Sequence, residues 1–127
     1  VAAKDDEIVA DGVLRMRKHG WQRHIGEILV TVDREWQRKG LGTLLSRQLI
    51  SHAVSRGLRK IVTYSMRENE RRLGTLRALG FEEVGRLPGF IMDTEGKLRD
   101  MVLMEIDADV LWDQMMELDF GEFSGLY

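Results

Sequence analysis

The stretch EILVTVDREWQRKGLGTLLSRQLI, residues 27–50, decides the fold, because the spacing of its apolar residues changes once within it. In its first part Ile28, Val30 and Val32 alternate with their neighbours, a period of two that is typical of a β-strand. After Gly42 the apolar residues recur at three- and four-residue steps, as on one face of an α-helix. The stretch therefore predicts a strand, a glycine-rich corner with the sequence QRKGLG at residues 37–42, and a helix.

The corner has the properties of an anion site. Gly40 and Gly42 lack a Cβ, so several backbone N–H groups can point at one oxygen-rich group, and the following helix adds unpaired N–H donors. A P-loop would need lysine directly after its second glycine, where this chain has Thr43 and Leu44. A dinucleotide fingerprint would need a third glycine in place of Leu45. The corner therefore predicts a pyrophosphate site that belongs to neither class.

The sequence around this unit predicts one layered α+β domain with the order β-β-β-α-β-α-β-β-α. Upstream, strands are predicted over residues 1–4, 7–15 and 21–32. Downstream, the prediction is a helix over 41–56, a strand over 60–65, a helix over 69–79, strands over 81–86, 90–93 and 97–107, and a last helix over 110–118. A break is predicted at Pro88-Gly89, and Asp107 or Asp109 is predicted to cap the last helix.

Composition excludes several classes of protein. At 127 residues the length predicts a single domain, and no apolar run approaches the ~18 residues needed to span a bilayer. The chain has no cysteine, which excludes disulfides, thiolate zinc sites and cysteine nucleophiles and fits the cytoplasm. No spacing of His, Asp and Glu suggests a metal site, and no G-x-S-x-G nucleophile elbow occurs.

The net charge of −2 conceals a segregation of charges. Residues 34–77 carry 11 Lys/Arg against 3 Asp/Glu, whereas residues 78–127 carry 3 against 12. The basic middle suggests a polyanionic ligand, although solvated surface explains many such runs. Nucleic acid is the rival ligand, but no recognised nucleic-acid motif accompanies the charge, so the prediction is no nucleic acid and no membrane partner.

The corner matches the pattern [QR]-x-x-G-x-[GA] with Gln37, Gly40 and Gly42. In that context the chain resembles the GNAT N-acetyltransferases over residues 1–107: EILVTVD resembles their fourth strand, and ENERRLGTLRALGFEEVG resembles the helix and strand of their second signature. The resemblance implies a GNAT-like, mostly antiparallel mixed sheet flanked by helices, acetyl-CoA as donor and an amine as acceptor. Residues 108–127 are expected to form a separate short C-terminal helix and tail.

The resemblance also implies roles for individual residues. The backbone of the fourth strand would bond the pantetheine arm of coenzyme A, the N–H groups of the corner would hold its pyrophosphate, and Asn69 would touch pantetheine. An N-cap is an equally good reading of Asn69. The implied cofactor-binding residues are Val30, Thr31, Val32, Gln37, Arg38, Lys39, Gly40, Leu41, Gly42, Thr43 and Asn69.

The sequence offers fewer of the expected catalytic residues than of the expected cofactor-binding residues. Acetyl transfer needs an un-ionised amine, a site for the oxyanion and a proton for the departing thiolate. The resemblance implies an oxyanion site at a backbone N–H near Val32 and a carboxylate base at Glu27, whose alternative reading is a strand-edge surface charge. The family commonly has a tyrosine acid where this chain has Leu76, and alanine where it has Arg72. Two hypotheses stay open: an N-acetyltransferase working by direct transfer, or a non-catalytic acyl-CoA-binding or regulatory module.

Family members usually begin with a strand and two helices that build part of the acceptor pocket, and this chain opens on what resembles their second strand. The expectation is an N-terminally incomplete GNAT domain over residues 1–107. Three explanations stay open: the sequence is truncated, a second copy or a partner chain supplies the missing segment, or this is a reduced version of the fold. The acceptor is a small-molecule or peptide amine whose identity the sequence does not specify.

Overall fold

The computed structural model describes residues 1–4 and 6–110. A short 3₁₀ turn, Arg34–Trp36, lies between the third strand and the first helix. The remaining elements, in chain order, are β1 (Ala2–Lys4), β2 (Glu7–Met16), β3 (Ile25–Val32), α1 (Leu41–Ser55), β4 (Lys60–Met66), α2 (Glu70–Ala78), β5 (Glu82–Met92) and β6 (Leu98–Asp107).

The strands form one six-stranded mixed sheet with the order β1-β2-β3-β4-β6-β5. The first three strands make the predicted antiparallel meander, and β4, β6 and β5 pair antiparallel on the other side. The two halves meet at the parallel pair of β3 and β4. The predicted α+β class, with a mostly antiparallel sheet flanked by helices, is confirmed.

Both helices pack on the same face of the sheet. Their inward side chains and the side chains of the central strands form one core, because residues two apart on a strand share a face and residues three or four apart on a helix do so too. The buried core residues are Ile28, Ile50, Ala53, Leu58, Ile61, Leu73, Leu76, Phe81, Val102, Met104 and Ile106. The opposite sheet face has no helix over it among residues 1–4 and 6–110, and Val13 on that face is 41% exposed. That a partner or second copy completes the fold stays a prediction.

The third strand begins later than the sequence predicts. Residues 21–24 do not extend β3, which starts at Ile25. Their backbone groups are used in consecutive turns, in which Arg23 N–H donates to Gly20 and Ile25 N–H donates to Gln22, and Trp21 is 95% exposed. The prediction of a strand over 21–32 was wrong at its start because these local hydrogen bonds replace a ladder with a neighbouring strand.

The predicted break at Pro88-Gly89 was also wrong, since β5 runs through both residues. Strand β5 lies at the edge of the sheet and pairs only with β6, so the missing N–H of Pro88 removes no ladder bond on the open side. The register shifts between Leu87 and Ile91, and Gly89 has a φ of 68° there. A bulge thus absorbs the irregularity that the sequence suggests.

The described chain ends at the beginning of the predicted last helix. Asp107 Oδ1 accepts from the N–H groups of Asp109, at 3.0 Å, and Val110, at 3.4 Å, which confirms Asp107 as a capping residue. Apart from Val110, the predicted helix over 110–118 and the tail lie outside the described residues. Among the helices described, none is long and apolar enough to cross a bilayer.

Candidate functional site

A cavity of about 580 Å³ opens on the helix face of the sheet, between the second half of β3, the loop that follows it, and the two helices. It brings together most of the residues predicted to bind the cofactor: Val30, Val32, Gln37, Arg38, Gly40, Gly42, Thr43 and Asn69. The predicted residues Thr31, Lys39 and Leu41 lie beside this group without lining the cavity.

The cavity exists because β3 and β4 part. Their parallel ladder runs from Ile25, opposite Lys60, only as far as Glu27, opposite Val62. Immediately beyond it, the hydroxyl of Thr63 donates to the carbonyl of Ile28 at 2.9 Å, so a side chain takes the place of the next backbone bond. Past that point β3 keeps its pairing with β2 alone, and a wedge opens on its other edge.

The backbone of β3 presents alternate residues to this wedge. The carbonyl of Ile28 points at β4, and successive residues of a strand direct their N–H and C=O groups to opposite edges, so Val30 and Val32 also face the wedge. The carbonyl of Val32 accepts from the Gln37 side chain at 3.1 Å. The N–H and C=O of Val30 and the N–H of Val32 are thus available to a ligand, whereas the backbone groups of Thr31 face β2.

On the other side of the wedge, Arg72 closes the edge of β4. Its Nε donates to the carbonyl of Tyr64 at 3.0 Å, and its Nη2 lies 3.3 Å from the Thr63 hydroxyl. The carbonyl of Tyr64 is a group that a continuing β3–β4 ladder would have covered, and a buried carbonyl without a partner is costly. Burial lowers the pKa of Arg72 from its ordinary value. Arg72, at the position where the resemblance implies alanine, therefore stabilises the edge of β4 at the point where β3 and β4 separate.

The predicted corner has the geometry of an anion site. Gly40 precedes α1 with a φ of 79°, and Arg38 also adopts a left-handed backbone, with a φ of 66°. Helix α1 has no side-chain cap and no acidic residue in its first turn, and its first backbone bond runs from Leu44 N–H to Gly40 at 3.0 Å. The N–H groups of residues 41–43 are therefore left for a ligand, at the positive end of the helix dipole.

The lining of the cavity is cationic. Arg38, Arg71 and Arg72 line it, and no Asp or Glu does so. Within residues 1–4 and 6–110, neither Arg38 nor Arg71 has an acidic partner within ion-pair distance. Lys39 lies outside the lining, with its ammonium 4.6 Å from the centre of the Trp36 ring. An unbalanced set of guanidinium groups around one cavity favours a phosphate-bearing ligand.

Sequence reasoning missed part of this wall. Arg71 and Thr75 line the cavity from α2, four residues apart and so on one helix face, a spacing that the sequence does contain. Leu79 extends this wall, and Ser46 lines the cavity from α1, where its hydroxyl donates to the carbonyl of Gly42 at 2.7 Å. The predicted N-cap at Asn69 is confirmed, since its Oδ1 accepts from Arg72 N–H at 3.2 Å. Asn69 also lines the cavity, and its contact with pantetheine stays a prediction.

Leu76, where the resemblance implies a tyrosine acid, and Glu27, the predicted base, lie on different sides of the sheet. Leu76 is 4% exposed and lines the cavity without offering a proton donor. Glu27 is not part of the cavity lining; it stands at the last rung of the β3–β4 ladder on the opposite, open face, with its carboxylate 4.0 Å from Arg15 Nη1. The candidate base and the cavity are therefore separated by the plane of the sheet at the point where the sheet parts.

Comparison with known proteins gives the family context. A family model described as acetyltransferase (GNAT) family matches residues 1–81. A mycothiol acetyltransferase of Thermobifida fusca (strain YX) is 39% identical over 59 residues, which are 46% of this chain and 18% of that protein. The sequence match therefore spans less than a fifth of that relative.

Solved structures share the fold. A ribosomal-protein-alanine N-acetyltransferase from Brucella melitensis has a TM-score of 0.76 at 25% identity, over 84% of this chain and 66% of that one. A Salmonella typhimurium protein solved with its cofactor acetyl-CoA has a TM-score of 0.75 at 22% identity, over 84% of this chain and 61% of that one. The chain thus spans less than two thirds of the length of these neighbours.

Proposed function

The chain belongs to the acetyltransferase (GNAT) family, and from that premise we propose that it is an acetyl-CoA-dependent N-acetyltransferase that moves an acetyl group directly to an amine. The observation that carries the proposal is the arginine-lined cavity, which joins an anion-binding corner to the free backbone edge of β3. A long ligand with phosphates at one end and amide groups in its arm matches these two parts. Acetyl-CoA has that chemistry.

The phosphate end fits the corner. The N–H groups of residues 41–43 and the dipole of α1 favour the pyrophosphate, and Arg38 and Arg71 supply charge from two sides of the cavity. Gly42 keeps this end open: a Cβ built there would meet Val32 Cγ2 at 3.5 Å, an ordinary contact, but a larger side chain would enter the cavity. The corner therefore accepts glycine or alanine and no bulky residue.

The arm fits the free edge of β3. The N–H and C=O of Val30 and the N–H of Val32 offer an extended ligand the bonds that an added strand would make. Asn69, on the facing wall, has its side chain at the same cavity. This alignment directs the acetyl end toward the bonded pair Thr63 and Ile28, where the two strands meet.

The chemistry takes place at that junction. An amine that approaches from the open face meets the carboxylate of Glu27, which is positioned to take its proton, directly or through water. A backbone N–H of the free β3 edge, at Val30 or Val32, stabilises the negative charge that develops on the acetyl oxygen. The acceptor is a small-molecule or peptide amine.

A non-catalytic acyl-CoA-binding module is the alternative. Leu76 favours it, because this cavity-lining position provides no acid. The module would hold the cofactor in the same cavity but would release no thiol when an amine is supplied.

Calorimetry with coenzyme A and a thiol-release assay separate these two functions. We expect binding of coenzyme A by the wild type, and release of free thiol from acetyl-CoA with at least one member of a panel of small amines and N-terminal peptides. Binding without thiol release across the panel would leave the module, and absence of binding would contradict both functions. Denatured protein in the same assay controls for spontaneous thioester aminolysis.

A further inference from the structure

Glu27 has a close neighbour on the open face of the sheet. Glu27 pairs with Val62 in the parallel register, and Tyr64 follows Val62 by two residues, so the side chains of Glu27 and Tyr64 emerge on the same face. The two residues are 37 positions apart in the sequence, and only the register of β3 and β4 brings them together.

The two side chains interact. Burial raises the pKa of the Tyr64 hydroxyl, and the negative charge of the nearby Glu27 carboxylate raises it further. Arg15, directly opposite Glu27 on β2, and Arg17 act in the other direction. Tyr64 is therefore a neutral phenol at physiological pH, on the same face of the sheet as the carboxylate that the sequence suggests as a base.

Tyr64 is also fixed at the parting of the strands. Its own carbonyl is held by Arg72 at 3.0 Å, and the preceding residue, Thr63, bonds across to Ile28. The backbone of Tyr64 is thus held at the junction to which the free edge of β3 would lead an acetyl group, and its side chain leaves that junction on the open face. Tyr64 is the only tyrosine among residues 1–4 and 6–110.

We propose that Tyr64 is the general acid of this protein and that it works with Glu27 as a proton relay. The inference rests on the proposed function, since it presupposes transfer of the acetyl group to an amine. It supplies the proton donor that is missing at Leu76 from a different strand and from the opposite face of the sheet.

The relay balances every proton. The amine nitrogen forms a bond to the acetyl carbon while its proton passes to the Glu27 carboxylate, and the C–S bond breaks. Tyr64 gives its hydroxyl proton to the departing sulfur, and Glu27 then returns the amine proton to the Tyr64 oxygen on the same face of the sheet. Both side chains end in their starting protonation states, and the products are the amide and the free thiol.

The test compares Tyr64→Phe with the wild type in thiol release from acetyl-CoA, with an amine that the wild type uses. We expect kcat to fall about 100-fold, the lower end of the range for general acid catalysis, with less than a twofold change in coenzyme A affinity by calorimetry. If the variant retains the wild-type kcat, the relay is wrong while the proposed function stands. If the wild type releases no thiol with any amine, the proposed function fails, and the relay fails with it.

A double variant separates a relay from two independent groups. Because one broken link stops a relay, Tyr64→Phe with Glu27→Gln should be no more than about threefold slower than the slower single variant. Losses that multiply in the double variant would contradict the relay. A readout independent of turnover accompanies this test: phenolate absorbance, with the signal of Tyr64→Phe subtracted, should show the Tyr64 titration moving to lower pH in Glu27→Gln. An unmoved titration would contradict the effect of Glu27 on Tyr64.

The alkaline side of the pH profile gives a further readout. The charged groups that act on Tyr64 are Glu27, Arg15 and Arg17, and Lys60 and Glu105 lie farther along the same face, paired with each other. We expect kcat of the wild type to fall as the Tyr64 hydroxyl ionises and the residual kcat of Tyr64→Phe to lack this fall. The same alkaline fall in both proteins would overturn the assignment.

Discussion

The two faces of the sheet at the parting of β3 and β4 differ in what performs their chemistry. On the helix face, backbone N–H groups and arginine side chains from a contiguous loop and one helix wall form the cavity. On the open face, two side chains on neighbouring strands, Glu27 and Tyr64, form a pair. Binding thus depends on backbone N–H groups and on the summed charge of several arginines, whereas the proposed catalysis depends on two individual side chains. Substitutions should therefore separate binding from catalysis.

The largest effect is expected at the corner. Gly42→Leu should lower the affinity for coenzyme A by at least about 100-fold, or about 2.7 kcal/mol, because the side chain fills the cavity in front of the α1 N–H groups. Gly42→Ala is the matched control and should bind within about threefold of the wild type, since its Cβ makes only a 3.5 Å contact with Val32. Calorimetry measures both. Equal affinities for the two variants would place the phosphates elsewhere.

Two adjacent arginines, Arg71 and Arg72, distinguish a residue that binds the ligand from one that stabilises the fold. Arg72→Met should lower the free energy of unfolding by about 2 kcal/mol, because it leaves the carbonyl of Tyr64 without its donor. Arg71→Met is the control for losing a charge on the same helix, and its stability should stay within about 0.5 kcal/mol of the wild type. Urea unfolding measures both variants. An Arg72→Met variant as stable as the wild type would mean that the edge of β4 does not need the hydrogen bonds from Arg72.

The same Arg71→Met variant should weaken coenzyme A binding about tenfold, or about 1.4 kcal/mol, since Arg71 lines the cavity and is free of acidic partners among the described residues. This loss should shrink as salt is raised, because Arg71 is exposed and its interactions are screened. Titrations at low and high salt measure it. Unchanged affinity at low salt would remove Arg71 from the phosphate site.

The sequence predicts the two faces to different extents. The corner can be predicted because Gln37, Gly40 and Gly42 lie within six consecutive residues and their conformational demands are local. The placement of Glu27 and Tyr64 on one face of the sheet depends on the register of two strands separated by a helix, which no spacing in the sequence encodes. Likewise, Pro88 marks a break only if its strand is central, and its place at the sheet edge is a property of the whole topology.

The smallest expected effect is a pH dependence that arises on the open face. The folded pKa of Tyr64 is raised, so its contribution to stability is complete below the ordinary tyrosine pKa of about 10 and is lost as pH rises through the folded value. The wild type should therefore lose stability relative to Tyr64→Phe above about pH 10. Urea unfolding at intervals from about pH 8 to pH 11 measures this difference. If the difference in unfolding free energy between the wild type and Tyr64→Phe stays constant over this pH range, the raised pKa of Tyr64 is contradicted.

The central claim is that coenzyme A lies along β3 on the helix face with its acetyl end at the junction beside Glu27 and Tyr64. Backbone amide spectra of the isotopically labelled protein, saturated first with coenzyme A and then with acetyl-CoA, test it directly. We predict that coenzyme A shifts the amides of residues 30–32 and 38–43, and that the acetyl group adds differences at Ile28, Val30 and Tyr64. If saturation leaves these amides unmoved and shifts those of the hairpin between β5 and β6 instead, the claim is contradicted.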